Sequence, residues 1–276
     1  MLSRTYGALT VILSACGCSN AGPRVPRTNL EHLRRNTHAS ELLEITLSYL
    51  QSAQETQDKA IPVVYVHGTP GSAQAWANYV ERPVDHTYSI ALDRPGFGQS
   101  APTRAFISLR EQAAAVLAVM PKDDQPVVLV GHSLGGPVVA QVAAEHSSRV
   151  KALVLVAASL DPAQEKIHPL QPLGTMWPFR LLLSDQLRNS NDELLNLKAE
   201  LLQLEPRLKN ISAPTMIIHG TRDNLVPLKN LAYIQAQLTQ ARCIKTIVLE
   251  NKNHFLPWNS EPAVREAIAW AVKQTC

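Results

Sequence analysis

The chain has 276 residues, enough for one large domain or two small ones, and 45% of them are hydrophobic, which suffices for a full core. Its 26 Lys and Arg nearly balance 23 Asp and Glu, for a formal net charge of +3. No basic run and no alternation of basic with aromatic residues is present, so nothing points to a nucleic-acid partner.

The N-terminus differs from the rest. Arg4 gives a positive start, residues 7–13 form a short apolar core, and the small residues Ser14, Ala15 and Cys16 follow. That is the layout of a secretory signal peptide over residues 1–15, too short for a membrane span. The stretch LSAC, residues 13–16, resembles the lipobox of bacterial lipoproteins. The resemblance implies cleavage before Cys16 and lipidation of its sulfur, which would hold an exported protein at a membrane surface, facing the periplasm or the cell exterior, without spanning it. An ordinary signal peptide, cut elsewhere, is the alternative. Residues 16–40 carry few apolar side chains and read as the attachment site and a tether, leaving residues 41–276 as the domain.

Ile45, Leu47 and Tyr49 then alternate with Thr46, Ser48 and Leu50, which predicts a strand. Six apolar runs bounded by turn residues follow: IPVVYVHG, TYSIALDRPG, PVVLVGHS, VKALVLVAAS, APTMIIHG and IKTIVLEN. Helix-like segments lie between most of them, such as residues 108–120 with Leu109, Ala113, Val116, Leu117 and Met120 on one face. Alternating strands and helices with near-continuous apolar strands imply an α/β fold, a mostly parallel sheet covered by helices on both faces. Ligands bind such sheets outside the carboxyl ends of the strands. Between the fourth and fifth runs lie residues 160–212, too long for a structureless loop. Leu194, Leu197, Leu201, Leu204 and Leu208 recur at helical spacing there, with Pro206 expected to break or restart the helix. This segment reads as a small helical lid whose leucines pack onto the domain or, alternatively, form a dimer seam; the oligomeric state stays open.

Past Cys16 and Cys18, the cysteines left are Cys243 and Cys276. An oxidising compartment permits them to pair, and two unpaired thiols are the alternative.

The chemistry begins at GHSLG, residues 131–135, where Ser133 stands between a predicted strand and a predicted helix. A serine in so tight a turn is held strained and exposed, and the glycines leave room for close helix-to-strand packing. The Leu134 N–H lies at the helix start, where partial positive charge favours an anion. This elbow, with the strand and helix order around it, resembles the α/β-hydrolase superfamily from about residue 61 to the C-terminus. The resemblance implies a nucleophile, acid and base in that chain order, matching Ser133, Asp223 in HGTRDNLVP and His254 in NKNHFLPW. The chemistry agrees: a serine hydroxyl needs a base in reach, and a carboxylate must fix that base's tautomer. Asp161 in AASLDP also lies just past a strand and stays open as the acid; otherwise it caps the first helix of the lid, with Pro162 following. The family pattern further implies an oxyanion hole from the N–H groups of Leu134 and of Thr69 in HGTPGS, Pro70 having no N–H. DRPGFGQS, residues 93–100, is a further family-like stretch, read as a structural loop. His132, His67 and His219 read as supports rather than bases.

The resemblance thus implies a serine hydrolase acting on a small-molecule carboxylic ester or related acyl bond. A serine at the elbow argues against haloalkane dehalogenases and epoxide hydrolases, which carry aspartate there. Metal and dinucleotide motifs do not appear, so no cofactor is expected. Acyl transfer to an acceptor other than water, cleavage of a thioester, amide or C–C bond, and a non-catalytic binding role are the alternatives. Trp76, Met176, Trp177, Phe179, Phe255 and Trp258 are candidates for an acyl pocket or for ordinary packing.

Overall fold

The computed structural model describes residues 33–52, 60–123, 125–167, 169, 171–177 and 179–273. Eight strands form one sheet: β1 (Arg34–Ser40), β2 (Ile45–Gln51), β3 (Ile61–Val66), β4 (Thr87–Asp93), β5 (Val127–His132), β6 (Val150–Val156), β7 (Thr215–Gly220) and β8 (Ile244–Leu249). Their order is β1-β2-β4-β3-β5-β6-β7-β8. The strands from β3 to β8 are parallel, while β2 pairs antiparallel with β1 and β4. All six apolar runs are strands.

Period-two alternation divides the parallel strands between two cores. Val64, Val66, Leu129, Leu153 and Leu155 face one layer. Val63, Tyr65, Val128, Val130, Val154 and Val156 face the other. The first layer holds α1 (Leu109–Val119), α2 (Gly135–Glu145) and α3 (Asp185–Leu208), with α4 (Lys229–Gln237) on its margin. The second is covered by α5 (Glu261–Lys273) and by Trp76 and Tyr79. Ser108 caps α1 by accepting from Glu111 N–H, and Ser184 caps α3 by accepting from Leu187 N–H.

Three expectations are corrected. The sheet reaches back to Arg34, so residues 34–40 are an edge strand and not a tether. This strand's sequence, RRNTHAS, buries little apolar surface, but it pairs along its length with β2, and Arg35 reaches the buried Asp93 carboxylate at 2.5 Å. Helix α3 is not broken at Pro206 but runs on to Leu208. The amide that proline removes lies in the last turn, Leu202 is exposed, and Leu204 and Leu208 anchor the turn in the core. Asp161 caps a turn and not a helix: its Oδ1 accepts from Ala163 N–H at 2.9 Å, and Gln164 N–H donates to its carbonyl at 3.0 Å. The leucine stripe packs into the domain core against α2.

Candidate active site

The elbow is built by close approach. A Cβ on Gly131 would lie 2.4 Å from Gly135 O, and one on Gly135 would lie 2.3 Å from Val66 O, so strand and helix meet backbone to backbone. Between them Ser133 adopts φ +54°, the left-handed region a serine rarely takes. Its N–H donates to Val156 O at 3.0 Å and its carbonyl accepts from Gly136 N–H at 2.9 Å, which holds the turn against β6. Ser133 is half-buried.

His254 and Asp223 come to the same edge from the loops after β8 and β7. Nδ1 of His254 lies 2.7 Å from Oδ2 of Asp223. The other carboxylate oxygen accepts from Leu225 N–H at 2.9 Å and Val226 N–H at 2.8 Å, so Asp223 cannot rotate freely. Burial pushes the Asp223 carboxyl up, but the His254 hydrogen bond and charge and the Val226 N–H outweigh it and hold the group below its ordinary value. An ionised Asp223 fixes the proton of His254 on Nδ1 and leaves Nε2 as the basic nitrogen. Arg222 N–H donates to Lys252 O at 2.9 Å and ties the two loops together.

Three histidines support this edge. His132 Nε2 donates to the His254 carbonyl at 3.0 Å, and the two rings lie 4.7 Å apart. Burial, then the neighbouring His254 charge, pushes His132 down to about 3, so it stays neutral. His219 donates from Nε2 to Val226 O at 2.9 Å and is also pushed down by burial. His67 Nε2 accepts from Arg94 N–H at 3.1 Å, so its Nδ1 carries the proton and donates to Gly68 O at 2.7 Å.

Thr69 lies three residues past the end of β3 and Leu134 opens α2. Neither backbone N–H donates a hydrogen bond among the described residues. The DRPGFGQS loop is organised by Asp93, whose oxygens accept from Ala73 N–H at 2.7 Å and Gln99 N–H at 3.1 Å. Asp161 is buried beside Asn230, whose Oδ1 accepts its N–H at 2.8 Å; no hydrogen bond joins it to His254 among the described residues.

Of the aromatic candidates, Trp76 is fully buried against Tyr65 and Tyr79 and is core. Phe255 and Trp258 pack on His254 and His132, Trp177 and Met176 are exposed, and the Phe179 side chain lies outside the described residues. Cys243 is disulfide-bonded, while Cys16 and Cys276 lie outside the described residues.

Sequence reasoning missed the polar half of α3. Asn189, Ser190 and Glu193 are nearly as buried as the leucines, and they meet Thr69, Arg94 and Gly96 in the loops after β3 and β4. The signal was present: the stripe Leu197, Leu201, Leu204, Leu208 extends backwards at helical spacing through Glu193 to Ser190 and Asn189.

This sheet order, with an elbow serine and loops gathered at the strand ends, is the α/β-hydrolase fold. Residues 61–191 match the family model described as alpha/beta hydrolase fold. A pimeloyl-[acyl-carrier protein] methyl ester esterase of Yersinia enterocolitica is 28% identical over 235 residues, which cover 72% of this chain and 88% of that protein. A membrane phospholipase A, described as a novel bacterial virulence factor, shares the fold with a TM-score of 0.64 at 19% identity, covering 96% of this chain and 90% of that one. A thermophilic esterase shares it with a TM-score of 0.61 at 22% identity, covering 88% and 98%.

Proposed function

We propose that this chain is a serine hydrolase that cleaves carboxylic esters through an acyl-serine intermediate. The observation that carries the reading is the 2.7 Å Asp223–His254 pair on the strand edge that holds Ser133 in a strained elbow. The similarity to a methyl ester esterase supports an ester as the bond broken.

In this reading Ser133 Oγ attacks the ester carbonyl carbon while His254 Nε2 takes its proton. Asp223 stabilises the imidazolium that forms. The carbonyl oxygen becomes an anion held by the N–H groups of Thr69 and Leu134. The tetrahedral species then expels the alkoxide, which leaves with the proton from His254, and an acyl ester on Ser133 remains. Water, deprotonated by the same His254, attacks that ester, and the second tetrahedral species expels Ser133 Oγ, which takes the proton back from His254 as the carboxylic acid is released.

The signal-like and lipobox-like sequence of residues 1–18 supports, as part of this proposal, export and a lipid on Cys16, which would hold the activity at a membrane surface. Among the described residues no helix is long and apolar enough to cross a membrane.

The test is intact mass after treatment with a fluorophosphonate, on wild type and on Ser133→Ala. One adduct on wild type and none on the variant is the expected result. A folded wild type that takes no adduct overturns the reading.

A further inference from the structure

Helix α3 does more than pack its leucines against α2. Its buried polar face grips the single peptide unit between Gly68 and Thr69, whose N–H is the first oxyanion donor of the reading above. The Gly68 carbonyl, at the opposite side of that peptide, accepts from Arg94 Nη2 at 2.9 Å and from His67 Nδ1 at 2.7 Å. Arg94 is fully buried after β4, and its charge is met by Glu193 of α3, with Nη1–Oε1 at 2.6 Å and Nη2–Oε2 at 3.1 Å. Gln112 of α1 closes the network: it accepts from Arg94 and donates to Glu193 Oε1 at 2.8 Å. One helical turn before Glu193, the Ser190 hydroxyl lies 2.8 Å from the Thr69 hydroxyl. The same helix therefore holds the carbonyl side of the peptide through Arg94 and the side chain that follows through Ser190.

A peptide unit is planar, so fixing the direction of its C=O fixes the direction of its N–H. A donor held in place before reaction stabilises developing charge without reorganising, which is the larger part of what an oxyanion hole contributes. A buried ion pair is weak evidence for stability, because desolvation offsets much of the attraction. Here the fork of the guanidinium serves three groups at once, the Glu193 carboxylate, the Gly68 carbonyl and the Gln112 amide oxygen, which a lysine cannot match in geometry.

We propose that Arg94, Glu193 and Ser190 are positioning residues that aim the Thr69 N–H at the oxyanion, so that helix α3 sets the geometry of the hole. The proposal rests on the serine-hydrolase reading. It assigns these residues no contact with the reacting atoms.

The test uses p-nitrophenyl butyrate as substrate and an alkyl trifluoromethyl ketone as the analogue whose adduct with serine places an anion in the hole. The single variants of Arg94 or Glu193 orphan a buried charge, so the informative form is the double variant R94M/E193Q, with both charges removed. Its active fraction is counted by fluorophosphonate titration of Ser133. The expected result is kcat lower by about 10- to 100-fold with KM within about threefold, and ketone affinity lower by the same factor as kcat. The midpoint of the pH–rate profile should not move, since His254 and Asp223 are untouched. A kcat within about threefold of wild type, or a lost kcat with unchanged ketone affinity, overturns the proposal. If the double variant does not fold, Ser190→Ala decides, because it leaves the ion pair intact: kcat and ketone affinity must fall together, and no change in either overturns the proposal. Failure of the underlying reading looks different, since wild type itself would then take no adduct at Ser133.

Discussion

Asp223 Oδ2 lies 2.7 Å from His254 Nδ1, while the Asp161 carboxylate is turned to its own loop, accepting from Ala163 N–H at 2.9 Å. The two aspartates follow adjacent strands and are both buried, yet only the first meets the imidazole. Asp223→Asn should therefore lower kcat by about 10³- to 10⁴-fold, because the amide cannot hold the Nδ1–H tautomer or stabilise the imidazolium. Asp161→Asn should cost less than about tenfold. Steady-state kinetics on both variants checks this, and a larger loss at Asp161 moves the acid.

Gly68→Ala is expected to disable the site more than the fold. A Cβ there would lie 2.8 Å from Ser133 Cβ and 3.3 Å from Ser133 Oγ, so the new methyl pushes on the elbow itself. Activity should fall by more than about tenfold. Fluorophosphonate labelling of Ser133 should slow in step, measured as the second-order rate of adduct formation. Normal labelling of the variant contradicts the prediction.

Stability should fall as the pH drops below 6.5. Burial lowers His67, His132 and His219 from their ordinary 6.5, His132 to about 3, so the folded protein keeps these rings neutral while the unfolded chain takes up protons. For a group lowered on folding, the stabilisation is complete above the unfolded value and is lost as the pH falls towards the folded one. The three histidines set the upper part of that window. Asp223, lowered from 3.8, adds its loss only below about pH 4. Calorimetric Tm against pH should slope downwards from 6.5, with proton uptake on unfolding between about one and three at pH 5. A flat Tm from pH 6.5 to 4.5 counts against it.

Alkylation of denatured, unreduced protein should find no free thiol at Cys243 or Cys276. A bridge between them closes a loop worth about 3–4 kcal/mol in the chain-entropy model, so reduction should lower Tm. Two alkylated thiols at these positions exclude the bridge.

What the sequence made legible follows from where the free energy lies. Strands β3 to β7 are buried on both faces and so appear as unbroken apolar runs, and the elbow declares itself because only glycine fits at residues 131 and 135. Strand β1 escaped notice because an edge strand is held by backbone pairing, and RRNTHAS carries no apolar signature. Asn189, Ser190 and Glu193 escaped because polar side chains at core-facing positions read as solvated until their partners, which are distant in sequence, are in place. The resemblance favours Asp223 and leaves Asp161 open, since both stand just past a strand; the Leu225 and Val226 amides that aim Asp223 are a property of the folded turn.

His132 adjoins Ser133 in sequence and holds the His254 loop by its carbonyl at 3.0 Å. The elbow and the loop that carries His254 are therefore hinged to each other as well as to the sheet. Anyone transplanting this serine and histidine into another scaffold would have to carry residue 132 with them, or accept a histidine loop whose tether to the elbow is lost.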